Sequence, residues 1–178
     1  MSDQAFRMMT FTFQIVDFLF PYVSRRVRKF GIQSGMTVVD YGCGPGRYTT
    51  RLANLVGDSG KVYAVDIHEL AITAVELKVQ ELGLCSIIPR LAAGYDSGVP
   101  DSAANIICAI DMFFAIKNPT AFLRELKRIA KPGAVLIIDS GHERREITRR
   151  KIADSGHWTV WQETRDHLKC KPTNREDD

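Results

Sequence analysis

The chain has 178 residues, with 24 Lys and Arg against 21 Asp and Glu, a formal net charge of +3, and 45% hydrophobic and 25% charged residues. That length suits one domain able to bury a core without disulfides or metal, and the composition excludes disordered, fibrous and repeat classes. So small a net charge gives no argument for nucleic acid by itself.

From the start of the chain, residues 5–19 are apolar almost all round and rich in Phe and Met, which predicts a helix that is buried or covers something. The stretch "FTFQIVDFLFPYV" is broken by Asp17 and Pro21 and is short of the roughly 20 residues that span a bilayer. It also lacks a basic leader region and a small-residue cleavage site, so neither a span nor a secretory signal is expected. A second helix follows in "PYVSRRVRKFG", with Pro21 in its first turn, Val23, Val27 and Phe30 on one side and Gly31 as its stop. The basic runs "RRVRK" (25–29) and "ERREITRRK" (143–151) read as solvated helix faces.

After residue 36 the pattern switches repeatedly between short continuous apolar runs and helical stripes. The runs are "TVVDY" (37–41), "KVYAVD" (61–66), "SIIPRL" (86–91), "NIICAI" (105–110) and "AVLIID" (134–139). Such runs are buried parallel strands, because helices cover both faces of the sheet. The intervening stripes are Tyr48, Leu52, Leu55 and Val56; then Ile72, Val75, Val79 and Leu82; then Phe122, Leu126 and Ile129. Asn118 is placed to cap the third of these helices and Pro119 to open it, with Pro132 and Gly133 ending it. Residues 143–154 predict a fourth helix stopped near Gly156, and "WTVWQ" and "HLKCK" a closing pair of strands. The expected class is therefore α/β: a Rossmann-like doubly wound sheet, mostly parallel with a terminal antiparallel strand, and helices on both faces. Residues 1–34 would form an N-terminal helical cap, 35–172 the ligand-binding domain and 173–178 a polar tail.

Ligands of such sheets bind beyond the carboxyl ends of the strands, near the point where strand order reverses. Gly42, Gly44 and Gly46 lie between the first strand and the first helix, so the backbone can turn sharply and approach a ligand closely. The spacing is G-x-G-x-G, with Arg47 where a dinucleotide fingerprint has its third glycine, and Asp40 puts negative charge where a pyrophosphate would be repelled. A cationic ligand suits the loop better, which disfavours a nicotinamide-dependent oxidoreductase. Asp66 ends the second strand, 24 residues past Gly42, where a carboxylate can accept both hydroxyls of a ribose.

With these residues in place, the stretch "GIQSGMTVVDYGCGPGRYT...GKVYAVDIHELAI...VPDSAANIICAIDMFF...FLRELKRIAKPGAVLIID" resembles the class I S-adenosylmethionine-dependent methyltransferases along nearly the whole chain. Its nearest look-alikes are small enzymes similar to those of quinone biosynthesis. The resemblance implies S-adenosyl-L-methionine as cofactor, with Asp40 and the loop of Gly42, Cys43, Gly44 and Gly46 holding its amino-acid end. Asp66 would take the ribose hydroxyls, and Ile67 and His68 would lie beside the adenine. Asp111, Met112 and Phe113 would line the methyl-transfer pocket, with Asp111 the candidate catalytic residue; Tyr95, His142 and His68 are further candidate bases. Many relatives place an Asp against the adenine amino group after the third strand. This chain reads "AAGYDSGVP", with Gly94 at that position followed by Tyr95 and Asp96, so the backbone near Ala93 or Asp96 would serve instead. The segment "IDMFFAIKNP" is unlike the N-P-P-Y type that acts on exocyclic amines of nucleobases.

Phe6, Phe11, Phe13 and Phe18 suit an apolar or aromatic acceptor, so a small-molecule partner is expected before nucleic acid. An RNA or protein methyltransferase using Arg25, Arg26, Arg28 and Lys29 is the alternative within enzymes. A cofactor-binding subunit without turnover is the alternative outside them. Cys43, Cys85, Cys108 and Cys170 form no C-x-x-C pair and have no neighbouring His at ligand spacing, so reduced thiols, no metal site and a cytoplasmic setting are expected.

Overall fold

The computed structural model describes residues 22–173 together with Asp3, Gln4 and Met8. Apart from Met8, the helix expected over 5–19 lies outside the described residues, as do its four phenylalanines, Pro21 and most of the polar tail. The elements in chain order are α1 (Tyr22–Val27), β1 (Thr37–Tyr41), α2 (Thr49–Val56), β2 (Lys61–Asp66), α3 (Glu69–Leu82) and β3 (Ile87–Leu91). They are followed by β4 (Ala104–Ala109), a single 3-10 turn (Phe113–Ala115), α4 (Pro119–Ile129), β5 (Ala130–Ile138), α5 (Arg145–Ser155), β6 (Trp158–Glu163) and β7 (Leu168–Pro172). No helix among the described residues is long and apolar enough to cross a membrane.

The strands form one sheet in the order β3-β2-β1-β4-β5-β7-β6. β1 pairs in parallel with both β2 and β4, and β7 pairs antiparallel with β5 and β6. The order reverses between β1 and β4, which sets the ligand crevice beyond their carboxyl ends.

Alternation along the strands explains why their runs are apolar throughout. Val39, Ile107 and Leu136 point to one face, against Phe122, Leu126 and Ile129 of α4 and Ile152 of α5. Their neighbours Val38, Ile106 and Ile137 point to the other, against Val23 and Val27 of α1, Leu52 and Val56 of α2 and Val75 of α3. The Asn118 side chain accepts the Ala121 N–H at 3.0 Å, capping α4 as the sequence predicts.

Three expectations change. Leu82 is 60% exposed, so the face of α3 that Val75 and Val79 pack against the core does not extend to it. α4 ends at Ile129 and not at the "KPG" segment, since Ala130 is already extended at φ −77, ψ 132 and bridges to Ala104. Arg26 is buried, at 4% exposure, and is not part of a solvated face.

Candidate functional site

At the end of β1 the chain turns over β2: the N–H groups of Gly42 and Cys43 both donate to the Val65 carbonyl, at 2.8 and 3.1 Å. Gly42 has φ +77, and a Cβ there would sit 2.9 Å from Met112 Cγ. Its missing side chain lets the segment after β4 close on the loop. Gly44 has φ +51, and a Cβ there would meet nothing within 4 Å, so the backbone faces open space.

Asp66 stands beside this opening with its carboxylate fixed at both oxygens. Oδ2 accepts the Gly44 N–H at 2.9 Å and Oδ1 the His68 N–H at 3.0 Å. Each oxygen keeps a further lone pair for a hydroxyl. Ile67, next in the chain, is 68% exposed, and His68 Nε2 lies 3.6 Å from the carboxylate of Asp3.

Asp40 is buried, and Thr49 Oγ1 donates to it at 2.6 Å, so it ties β1 to the first turn of α2. Burial pushes its pKa up to about 7, the Thr49 hydroxyl pulls it back and the Asp66 charge adds to the rise.

Beyond β4 the backbone of Asp111 is left-handed, at φ +58, a conformation Asp tolerates better than most residues. The Asp111 N–H donates to Asp139 Oδ1 at 2.9 Å, which holds the turn. Asp139 Oδ2 accepts from Arg26 Nη2 at 2.5 Å; Arg26 also donates to the Tyr48 hydroxyl at 2.9 Å and the Asp166 carbonyl at 2.6 Å. Arg26 Nη1 is 3.7 Å from Asp111, whose side chain is half exposed. Burial and the Asp111 charge raise the Asp139 pKa, while Arg26 lowers it. One guanidinium thus joins α1, the start of α2, the tips of β4 and β5, and the β6–β7 turn. All of these groups except Tyr48 help wall a cavity of about 690 Å³.

After β3, Ala93 and Asp96 exchange backbone hydrogen bonds at 3.0 and 3.2 Å across Gly94 and Tyr95. The Asp96 carboxylate accepts the Gly98 N–H at 3.0 Å and so braces its own exposed turn. The Tyr95 hydroxyl accepts the Asn118 N–H at 2.9 Å, and the Tyr95 carbonyl accepts the Tyr41 hydroxyl at 3.0 Å. His142 is exposed and packs edge-on against Phe114 with ring centroids 4.9 Å apart.

The structure therefore gathers Asp40, Gly42, Cys43, Gly44, Asp66 and Met112 around the glycine loop, with Tyr95 linked through Tyr41. Asp111 lies on the cavity side. Sequence reasoning missed Asp139, Tyr48 and the partners of Arg26. Asp139 carried a signal, since it ends an apolar run just as Asp66 does.

Residues 32–173 match a protein family described as "Methyltransferase domain". The ubiquinone/menaquinone biosynthesis C-methyltransferase UbiE of Shewanella oneidensis is 30% identical over 128 residues, which are 70% of this chain and 50% of that protein. The chain thus spans about half the length of the curated relatives it matches. A SAM dependent methyltransferase from Aquifex aeolicus has a crystal structure similar to this one at TM-score 0.72 and 29% identity, covering 83% of this chain and 86% of that one. The [4+2]-cyclase SpnF aligns at TM-score 0.66 and 19% identity over 84% of this chain and 59% of its own, a likeness of fold alone.

Proposed function

This chain belongs to the class I S-adenosylmethionine-dependent methyltransferases, and on that premise we propose that it transfers the methyl group to a small, partly apolar acceptor by in-line displacement. The observation that carries the reading is the Asp66 carboxylate, fixed by the Gly44 and His68 N–H groups beside a glycine whose open side a ligand can approach. The residues fit the cofactor: Asp66 accepts the ribose hydroxyls, Ile67 and His68 flank the adenine, and Gly94 and Tyr95 close the far side. When bound, the cofactor supplies a methyl group on a positively charged sulfur.

The glycine loop presents main chain to the amino-acid end, and the buried Asp40, bonded to Thr49, keeps that loop and α2 in place. Met112 and Asp111 bound the pocket into which the acceptor enters. Alignment of this kind is worth on the order of 7–11 kcal/mol, so no base is compulsory. Asp111, half exposed and anchored through Asp139, is the residue placed to take a proton from an acceptor that has one to lose. α1 serves as part of a cap, since it contributes Arg25 and Arg26 to the cavity wall. A cytoplasmic location belongs to the same reading, supported by four cysteines that are all free.

The nucleic-acid alternative is weakened because Arg26 is spent on Asp139 and Lys29 pairs with Asp166 at 3.0 Å. The test is methyl transfer from labelled S-adenosylmethionine into cell extract separated into small-molecule, RNA and protein fractions, with Asp66→Ala as control. Label in the small-molecule fraction that vanishes with the variant is expected. Label confined to RNA or protein would contradict the acceptor class.

A further inference from the structure

The cavity beyond β4 and β5 has a charge that the apolar expectation for the acceptor does not explain. Five of its lining residues are cationic and three are acidic. The acids are largely committed: Asp139 to Arg26 and the Asp111 backbone, and Asp166 to Lys29. Arg145 spends its guanidinium on the carbonyls of Thr164 and Arg165, each at 2.8 Å. That leaves Arg25 and Arg165, both exposed and paired with no acid among the described residues. They come from two adjoining segments of the wall, Arg25 from α1 and Arg165 from the β6–β7 turn, which Arg26 and Lys29 tie together through Asp166.

Two further donors in the wall are buried with no acceptor among the described residues, Ser140 Oγ and Arg26 Nε. Tyr22, 45% exposed, adds an aromatic surface, with the Arg26 guanidinium 5.9 Å from its ring centroid. A flat apolar body ending in a negative group matches this combination. The cavity adjoins the transfer site, since Asp111 lines it and the neighbouring Met112 packs on Gly42.

We propose that the methyl acceptor is an anion, a carboxylate or phosphate ester, whose charged group lies between Arg25 and Arg165 while its nucleophilic atom faces Asp111. The inference rests on the methyltransferase reading and narrows it. Paired guanidinium contacts to an oxyanion are charge-assisted and directional, so they discriminate strongly against a neutral isostere. The rival occupant of these arginines is the cofactor's own carboxylate.

The full chain is titrated first with S-adenosylhomocysteine, then, saturated with it, with benzoate and phenyl phosphate and their neutral counterparts benzamide and phenol. The same series is run on the Arg25→Gln/Arg165→Gln double variant. Binding of S-adenosylhomocysteine stands or falls with the methyltransferase reading and is scored separately. At least one anion is expected to bind about tenfold or more tightly than its neutral counterpart, and the double variant to lose that preference while keeping its S-adenosylhomocysteine affinity and melting temperature. Preference for benzoate alone assigns a carboxylate, and for phenyl phosphate alone a phosphate ester. The proposal is overturned if S-adenosylhomocysteine binds but no probe does, if neutral and charged probes bind alike, or if the preference survives in the double variant. Loss of S-adenosylhomocysteine affinity in that variant would overturn it too, by giving the arginines to the cofactor. So would tighter binding of a short RNA that Arg28→Gln abolishes, since Arg28 lies outside the cavity wall.

Discussion

Through one guanidinium Arg26 bonds to Tyr48, Asp139 and the Asp166 carbonyl, tying distant parts of the chain together. With 4% of its side chain exposed and Asp139 at 7%, the pair is a buried ion pair, in which Arg26 Nη1 and Nη2 are bonded while Nε has no acceptor among the described residues. Removing one partner strands the other, so Arg26→Ala should cost about 3–5 kcal/mol in urea denaturation. The double change Arg26→Met/Asp139→Leu should cost much less. A loss for Arg26→Ala of under about 1 kcal/mol would mean that the pair behaves as a surface one. Asp40 and His167 make opposite predictions about pH. Asp40, beside Thr49 and Asp66, has a folded value of about 7 against an ordinary 3.8, because burial disfavours its charge. Its contribution to stability is therefore full below its ordinary value and is lost as pH rises through about 7. Burial, with Arg26, Lys169 and Lys29 nearby and Asp166 opposing them, pushes His167 from 6.5 down to about 4. That contribution is full above 6.5 and is lost as pH falls through about 4. The two slopes partly cancel in the native protein. Asp40→Asn should unmask the histidine, so that the variant's unfolding free energy rises with pH across this window more steeply than the wild type's. Parallel profiles would contradict the assignment.

The loop from β1 to α2 depends on two glycines for different reasons, and their alanine variants should separate. At Gly42 a methyl group would press on Met112 and also require a left-handed alanine, so Gly42→Ala should lower both the melting temperature and S-adenosylhomocysteine affinity. At Gly44 there is room, so Gly44→Ala should lose only the conformational cost, roughly 1–2 kcal/mol, while its methyl group obstructs the ligand. Equal loss of stability in both would refute the distinction. These elements were legible in sequence because each advertises itself locally. Asn118 and Pro119 announce the start of α4, glycines at a strand end announce the loop, and strands buried on both faces read as unbroken apolar runs. The end of α4 was misplaced because Pro132 and Gly133 are strong breakers, yet Ala130 leaves the helix first to pair with Ala104 of β4. Leu82 fits the helical period of α3, but whether anything packs on it is a tertiary fact, and it is 60% exposed.

Across the molecule, charge is distributed in a way that totals conceal. A net charge of +3 says little, yet the fold brings Arg25, Arg26 and Lys29 of the first basic run to Arg145 of the second and Arg165 of the closing turn. No spacing in the sequence encodes that meeting, because it follows from the order in which β5, β7 and β6 join the sheet. The glycine loop and the Asp66 strand tip were readable because each is a local feature of the sequence; the cavity wall is assembled from five separate segments. The central claim, that Asp66 at the end of β2 anchors S-adenosylmethionine, is tested most directly by calorimetric titration of S-adenosylhomocysteine into the wild type and Asp66→Ala. We expect one site per chain, weakened about tenfold to a hundredfold or more in the variant as charge-assisted hydrogen bonds to the ribose are lost. Absence of binding to the wild type, or equal affinity in the folded variant, would contradict it.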